Sequence, residues 1–312
     1  MEVVVVEEDD NNDYTMRYND RKPKWWRQLA GRRGSKAQRR AYRNEELEYY
    51  KLPSIEYGKQ YDLNRIFHTE KNKPIWLEIG CGQGDNVLVN ALHSEINIIG
   101  ADVHKPSIGL ILSRIDKAIN SSSSDNNNNT TEQYNLYTPE KDPFNDDAST
   151  EEDGTTITPT LPPLHDNNND NNELPLYSNV RIFAGDGIKL LYSIPTSSLS
   201  KVIITFPDPW YKDRHKEFRI LQGHTLDDIH RVLLKKSSSN DNNNNGGGQL
   251  CLATDHPVFQ SWVLKLTKEK KFRQLPLSNN HHRTTWLPVI SKYEQKGWEE
   301  DRPTLLTCWE AI

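Results

Sequence analysis

The stretch LEIGCGQGDN, residues 77–86, decides how the rest of the chain is read. A short apolar run, PIWLEI (74–79), passes directly into Gly80, Gly82 and Gly84, and a helical pattern follows over 84–93. Glycines at a strand-to-helix turn allow backbone conformations closed to residues with a Cβ and let the main chain approach a ligand. The spacing is G-x-G-x-G, not the G-x-G-x-x-G of dinucleotide-binding loops, so a nicotinamide-dependent reductase ranks last among the readings. Glu78 at the strand end would sit badly beside a pyrophosphate. A carboxylate there suits a ligand with a positive amino or sulfonium group, such as S-adenosylmethionine. Taken alone, the loop is also compatible with a tight turn whose glycines serve only helix packing.

Working outward, strands and helices alternate. Strands are expected at 96–102, 179–183, 201–206 and 249–254, and helices at 105–118, 187–193, 214–235 and 257–271. TLLTCWEAI at the C-terminus reads as a last edge strand. This alternation predicts an α/β fold with a mostly parallel central sheet and helices on both faces. The domain spans 73–312, preceded by a basic arm at 21–72 and an acidic N-terminus at 1–20. Asn- and Ser-rich segments at about 119–176 and 237–248 have no apolar periodicity and read, like 1–20, as disordered. Both insertions fall between a helix and the next strand, which places them at the amino ends of the strands, opposite a ligand crevice.

An acid stands at or just past the tip of each later strand: Asp102, Asp186, Asp208 and Asp255. Singly, such acids are often helix N-caps. Together on one crevice edge they fit a nucleoside ligand, with Asp102 toward the ribose hydroxyls and Asp186 toward an adenine amino group.

With LEIGCGQG in place, GADVH, AGDGIKLL, FPDPWYKDRHKEFR, LATDHPVF and ISKYEQKG follow in the order found in tRNA (guanine-N7)-methyltransferases. The sequence resembles the bacterial type of that family over essentially everything outside the Asn-rich segments. The resemblance implies a Rossmann-like class I methyltransferase fold. It also implies methyl transfer from S-adenosylmethionine to N7 of the variable-loop guanine (position 46) of tRNA. It points to Glu78, Gly80, Gly82, Gly84, Asp102, Asp186 and Asp208 as cofactor ligands, with Asp208 also catalytic. Lys212, Asp255, Ser291, Lys292, Tyr293 and Glu294 resemble the substrate-binding set. RNA contact is implied for Arg214, His215, Lys216 and Arg219, and for Arg32, Arg33, Lys36, Arg39 and Arg40 in the basic leader. Asp102 stands where Glu is usual, Ser291 where Thr is usual, and Glu217 and Phe218 interrupt a segment that is usually more basic. The large insertion is not a feature of the family.

Totals are consistent with that reading. Net charge is -5 over 312 residues, yet residues 21–43 hold ten Lys or Arg and no Asp or Glu. A basic run carrying aromatics suits an RNA partner, and a solvated basic helix is the plain alternative. The cysteines Cys81, Cys251 and Cys308 are scattered, which fits a reducing compartment and gives no metal-ligand spacing. His281 and His282 are adjacent and lack a suitably spaced third ligand, so no metal is expected. No apolar run approaches membrane-spanning length, so a soluble intracellular protein is expected, with cytoplasm, nucleus and organelle all compatible. Either a homodimer or a second subunit is compatible with the pattern. Two readings compete with the leading one: a small-molecule methyltransferase, and a non-catalytic RNA-binding subunit of the same fold.

Overall fold

A computed structural model describes residues 34–53, 55, 58–67, 73–93, 95–122, 134–144, 176–235, 247–276 and 281–312. The acidic N-terminus, Arg32 and Arg33, and most of both Asn-rich segments lie outside the described residues. The first described helix, α1 (Lys36–Arg43), opens on a capping box in which Ser35 and Gln38 satisfy each other's backbone N–H. A 3-10 helix (Glu45–Tyr50) and the short α2 (Leu63–Phe67) lead into β1 (Ile75–Ile79). Then come α3 (Asp85–Ala91), β2 (Asn97–Asp102), α4 (Lys105–Ser122), β3 (Val180–Ala184), α5 (Gly187–Ser193) and β4 (Lys201–Thr205). The chain closes with α6 (Gly223–Val232), β5 (Gln249–Thr254), α7 (Pro257–Lys268), β6 (Phe272–Gln274), α8 (His281–Thr284), α9 (Lys292–Glu299) and β7 (Leu305–Ala311).

Among the described residues the strands form one seven-stranded sheet in the order β3-β2-β1-β4-β5-β7-β6. The first five are mutually parallel, and β7 runs antiparallel to both neighbours. Strands buried on both faces need apolar side chains at every position, and the two-residue period distributes them. Val202, Ile204, Leu250 and Leu252 enter one cluster, packed by α5, α6 and α7. On the other face Ile98, Val180 and Ile182 meet α3 and α4. Ile203, Cys251 and Ala253 meet Trp286 and Leu287, just after α8. The chain reverses its direction of travel across the sheet between β1 and β4, so a crevice opens there, outside the carboxyl ends of the strands.

Three sequence expectations are corrected. The helix expected over 214–235 is a 3-10 turn (Asp213–Phe218) followed, after a break, by α6. At the break the Gln222 amide donates to the Lys216 and Arg219 carbonyls, which a continuous helix would have used itself. The C-terminal strand is not at the edge, because the three-residue β6 pairs outside it. Part of the large insertion also belongs to the fold: residues 134–144 lie against 288–290, with a bridge between Leu136 and Val289. The tertiary contacts of its tyrosines outweigh the polar composition around them.

The basic helix α1 is docked on α4 through a point where no side chain fits. A Cβ on Gly109 would lie 2.3 Å from the Gln38 carbonyl oxygen. Gly109→Ala should therefore lever α1 away, costing about 1–3 kcal/mol in chemical denaturation. An unchanged unfolding midpoint would show that the packing relaxes without loss.

Candidate active site

All three glycines of the loop are left-handed: Gly80, Gly82 and Gly84 have φ of 79°, 53° and 78°. Only glycine adopts these angles without strain. Two of the three face open space, since nothing lies within 4 Å of a Cβ placed on Gly80 or Gly82. Gly84 differs, because a Cβ there would meet Ile111 of α4 at 2.6 Å. Asp102, at the tip of β2, ties the loop down. Its Oδ2 accepts the Gly82 N–H at 2.9 Å and its Oδ1 the His104 N–H at 2.7 Å. Burial lifts the Asp102 carboxyl above the usual aspartate range in spite of these donors. Arg114 of α4 steadies the same loop, donating to the Gln83 carbonyl at 2.9 Å and pairing with Asp85 at 2.8 Å.

Glu78 lies beneath the loop, 1 % exposed. It accepts from Asn86 Nδ2 at 3.0 Å and from Thr205 Oγ1 at 3.3 Å, both neutral donors. Asn86 also donates to the Trp286 carbonyl, as does Asn90. With no cation beside it among the described residues, burial pushes the Glu78 carboxyl up to about 7. Asp186 caps α5, its Oδ1 accepting the Ile188 N–H at 2.9 Å.

At the end of β4 the chain takes an unusual path. Phe206 and Trp210 have φ of 46° and 43°, on either side of Pro207-Asp208-Pro209. Non-glycine residues held there cost about 1–3 kcal/mol each and persist only where surroundings dictate them. The constraint is visible: Arg219, expected on RNA, is 3 % exposed. Its Nε donates to the Pro209 carbonyl at 3.0 Å and its Nη2 to the Trp210 carbonyl at 3.3 Å. Its guanidinium also lies over the Trp262 ring. Phe218 and His215 pack edge-on against Trp210. The residue that breaks the basic run thus supports the loop.

Asp208 lines a cavity of about 340 Å³ together with Pro209, Trp210, Tyr211, Lys212 and His215. Asp208 forms no ion pair with another described residue, and desolvation raises its carboxyl above the usual range even though the residue reaches solvent. Tyr211 is 64 % exposed and lies nearly parallel to the His256 ring, 6.4 Å away. Lys212 and Arg214 are exposed, whereas Lys216 pairs with Asp213 at 2.7 Å.

The late ISKYE segment divides between surface and core. Ser291 caps α9 by accepting the Glu294 N–H at 3.1 Å. Lys292 and Tyr293 project into solvent. Glu294 is fully buried, accepting from Arg283 Nη1 at 2.5 Å, from Arg283 Nη2 at 2.8 Å and from Thr304 Oγ1 at 2.6 Å. Asp255 is likewise engaged, with Arg302 Nε at 2.8 Å. The structure therefore gathers the glycine loop with Glu78 and Asp102, and separately gathers Asp208 with Tyr211 and Lys212. It draws Glu294 and Asp255 into ion pairs. Sequence reasoning missed Asn86, Thr205, Arg114 and Arg283. Asn86, in the helix that follows the glycines, was the one with a positional signal. In α1, Lys36, Arg39 and Arg40 are exposed, as is Arg43.

Among the described residues no helix is long and apolar enough to cross a membrane, and no group of three potential metal ligands occurs. The model of a family described as "Putative methyltransferase" matches residues 164–306. A tRNA (guanine-N(7)-)-methyltransferase of Granulibacter bethesdensis is 24% identical, over 84% of this chain and 86% of that protein. One from Hydrogenovibrio crunogenus is 26% identical, over 77% of this chain and 72% of its own length. One from Corynebacterium diphtheriae is 35% identical over a shorter region, 42% of this chain and 48% of its own.

The Glu78 environment has a measurable consequence. A carboxyl with its pKa raised on folding contributes stability below its unfolded value, 4.5, and loses it as pH rises through about 7. Without ligand, the melting temperature of the wild type should fall relative to Glu78→Gln across that window. Parallel curves for the two proteins would contradict the assigned burial.

Proposed function

We propose that this chain, which is similar to tRNA (guanine-N(7)-)-methyltransferases over most of its length, transfers a methyl group from S-adenosylmethionine to N7 of a tRNA guanine, in the variable loop (position 46). The observation that carries the reading is the seat of Asp208. It is a carboxylate without an ion-pair partner among the described residues, held by a strained and clamped loop on the wall of a cavity at the carboxyl edge of the sheet.

The residues fit the methyl donor. Gly80 and Gly82 leave open the space that a Cβ would fill, and Glu78 offers a buried carboxylate with no cation beside it among the described residues. Glu78 would take the amino group and Asp102 the ribose hydroxyls, since each carboxylate oxygen can accept more than the one amide bond it holds. Asp186 would take the adenine end. When bound, S-adenosylmethionine supplies an electrophilic methyl group on a sulfonium centre. The protein's share is placement and charge. N7 of guanine carries a lone pair and no proton, so no general base is needed, and orientation does most of the work. Positive charge develops on the purine ring as the bond forms, and ionised Asp208 faces it in a partly desolvated setting.

For substrate capture, Tyr211 offers an exposed ring for base stacking, whereas the half-buried Trp210 ring packs against His215 and Phe218. Lys212, Lys292 and Tyr293 are exposed for direct contact. Ser291 and Glu294 act from behind, holding the helix that presents Lys292 and Tyr293, and Asp255 holds Arg302 beyond its end. Lys36, Arg39, Arg40 and Arg43 form a basic face for phosphates on α1.

Tritiated S-adenosylmethionine with total tRNA, followed by cleavage chemistry specific for 7-methylguanine, tests the reading and separates it from a small-molecule methyltransferase or an inactive RNA-binding subunit. Asp208→Asn should lose at least about 100-fold in kcat while keeping its circular dichroism spectrum. A near wild-type rate would remove Asp208 from the chemistry. Tyr211→Ala should raise KM for tRNA roughly tenfold with kcat largely kept. An unchanged KM would assign stacking elsewhere. Cofactor affinity should strengthen as pH rises through about 7, when Glu78 ionises, and Glu78→Gln should flatten that dependence in calorimetry. Equal slopes would place the amino group away from Glu78.

A further inference from the structure

Residues 134–144 touch both halves of the site described above, although they lie inside the Asn-rich insertion. At one end, the Arg114 guanidinium sits over the Tyr134 ring, 4.8 Å from its centre, and the Tyr134 hydroxyl meets that of Tyr177 at 3.2 Å. Arg114 is the side chain that holds the Gln83 carbonyl and Asp85 of the glycine loop. Three residues on, the Arg283 guanidinium lies 3.8 Å from the centre of the Tyr137 ring. Arg283 is the side chain that holds Glu294, and through it the first turn of α9.

The backbone fixes the spacing. The Tyr137 N–H donates to the Pro288 carbonyl at 2.8 Å, and the Ile290 N–H donates to the Asn135 carbonyl at 2.7 Å. Lys141 Nζ closes the following turn on the Leu136 carbonyl at 2.7 Å. Tyr137 is 1 % exposed, so its ring covers one face of a buried cation whose in-plane N–H groups serve Glu294 and the Val289 carbonyl. A buried ion pair holds its geometry only while water is excluded and its hydrogen bonds stay satisfied. The ring supplies that exclusion on one side and attracts the cation through its π face.

We propose that residues 134–137 are a strap that positions the two halves of the active site separately: Tyr134 sets the glycine loop through Arg114, and Tyr137 sets the RNA-facing turn through Arg283 and Glu294. Both tyrosines are positioning residues, and neither lines the Asp208 cavity. What each half binds rests on the function proposed above.

The test compares Tyr134→Leu and Tyr137→Leu in the full chain with the corresponding Phe variants, which keep the ring. Two quantities are read for each: the Kd for S-adenosylhomocysteine by calorimetry and the KM for tRNA. Tyr134→Leu should weaken S-adenosylhomocysteine binding about three- to tenfold and leave KM for tRNA within about twofold. Tyr137→Leu should do the reverse, by a similar factor. Both Phe variants should stay near wild type. A strap that serves stability alone would shift both quantities together in both variants, or neither, and either result overturns the proposal. If a Leu variant does not fold, Arg114→Lys or Arg283→Lys replaces it, since each keeps the charge and loses the planar face. Absence of 7-methylguanine from the wild-type reaction would instead sink the functional reading. The strap would then be judged on S-adenosylhomocysteine calorimetry and on tRNA binding by gel shift.

Discussion

A carboxylate sealed at the end of β1 organises much of this molecule. Among the described residues Glu78 has no cation beside it, so its neighbours must supply hydrogen bonds, and each comes from a different part of the chain. Asn86 reaches it from α3 and Thr205 from β4, while Asn86 also holds the Trp286 carbonyl of the late segment. One buried acid therefore ties together the glycine turn, the switch point of the sheet and the cover over its far face. Desolvation pushes its carboxyl up, and a positive group placed beside it would restore the ionised form.

The second constraint is the path of the chain around Asp208. Prolines on both sides restrict the backbone, and left-handed aromatics at Phe206 and Trp210 turn it sharply. Such a path does not persist by itself. Arg219 holds two of its carbonyls, and Phe218 and His215 brace the Trp210 ring. Residues that read as an RNA-facing tail thus work in part as the mount for Asp208. The charge that remains outward belongs to Lys212, Arg214 and α1.

How much of this was legible depended on whether a signal was local. The glycine loop, the strand-tip acids and the parallel sheet follow from short stretches with definite periods and turn residues. Asp208 followed from its prolines together with the family resemblance. By contrast, Arg219, Arg283 and Glu294 are charged, and charged residues are ordinarily exposed. Their burial is set by partners far away in the chain: Glu294 needs Arg283, and Arg283 needs the ring of Tyr137 from within a polar insertion. A composition dominated by Asn and Ser around that ring gave no hint that it would pack.

The sequence by itself determined the architecture, the crevice and the chemical character of its acids. These rest on backbone preferences and hydrophobic periods that act over a few residues. Only the tertiary structure decided which charged groups stay exposed and which hold others in place. That choice turns on desolvation: a charge moves inside only where a partner completes its hydrogen bonds, and the partners here come from segments that meet only after folding.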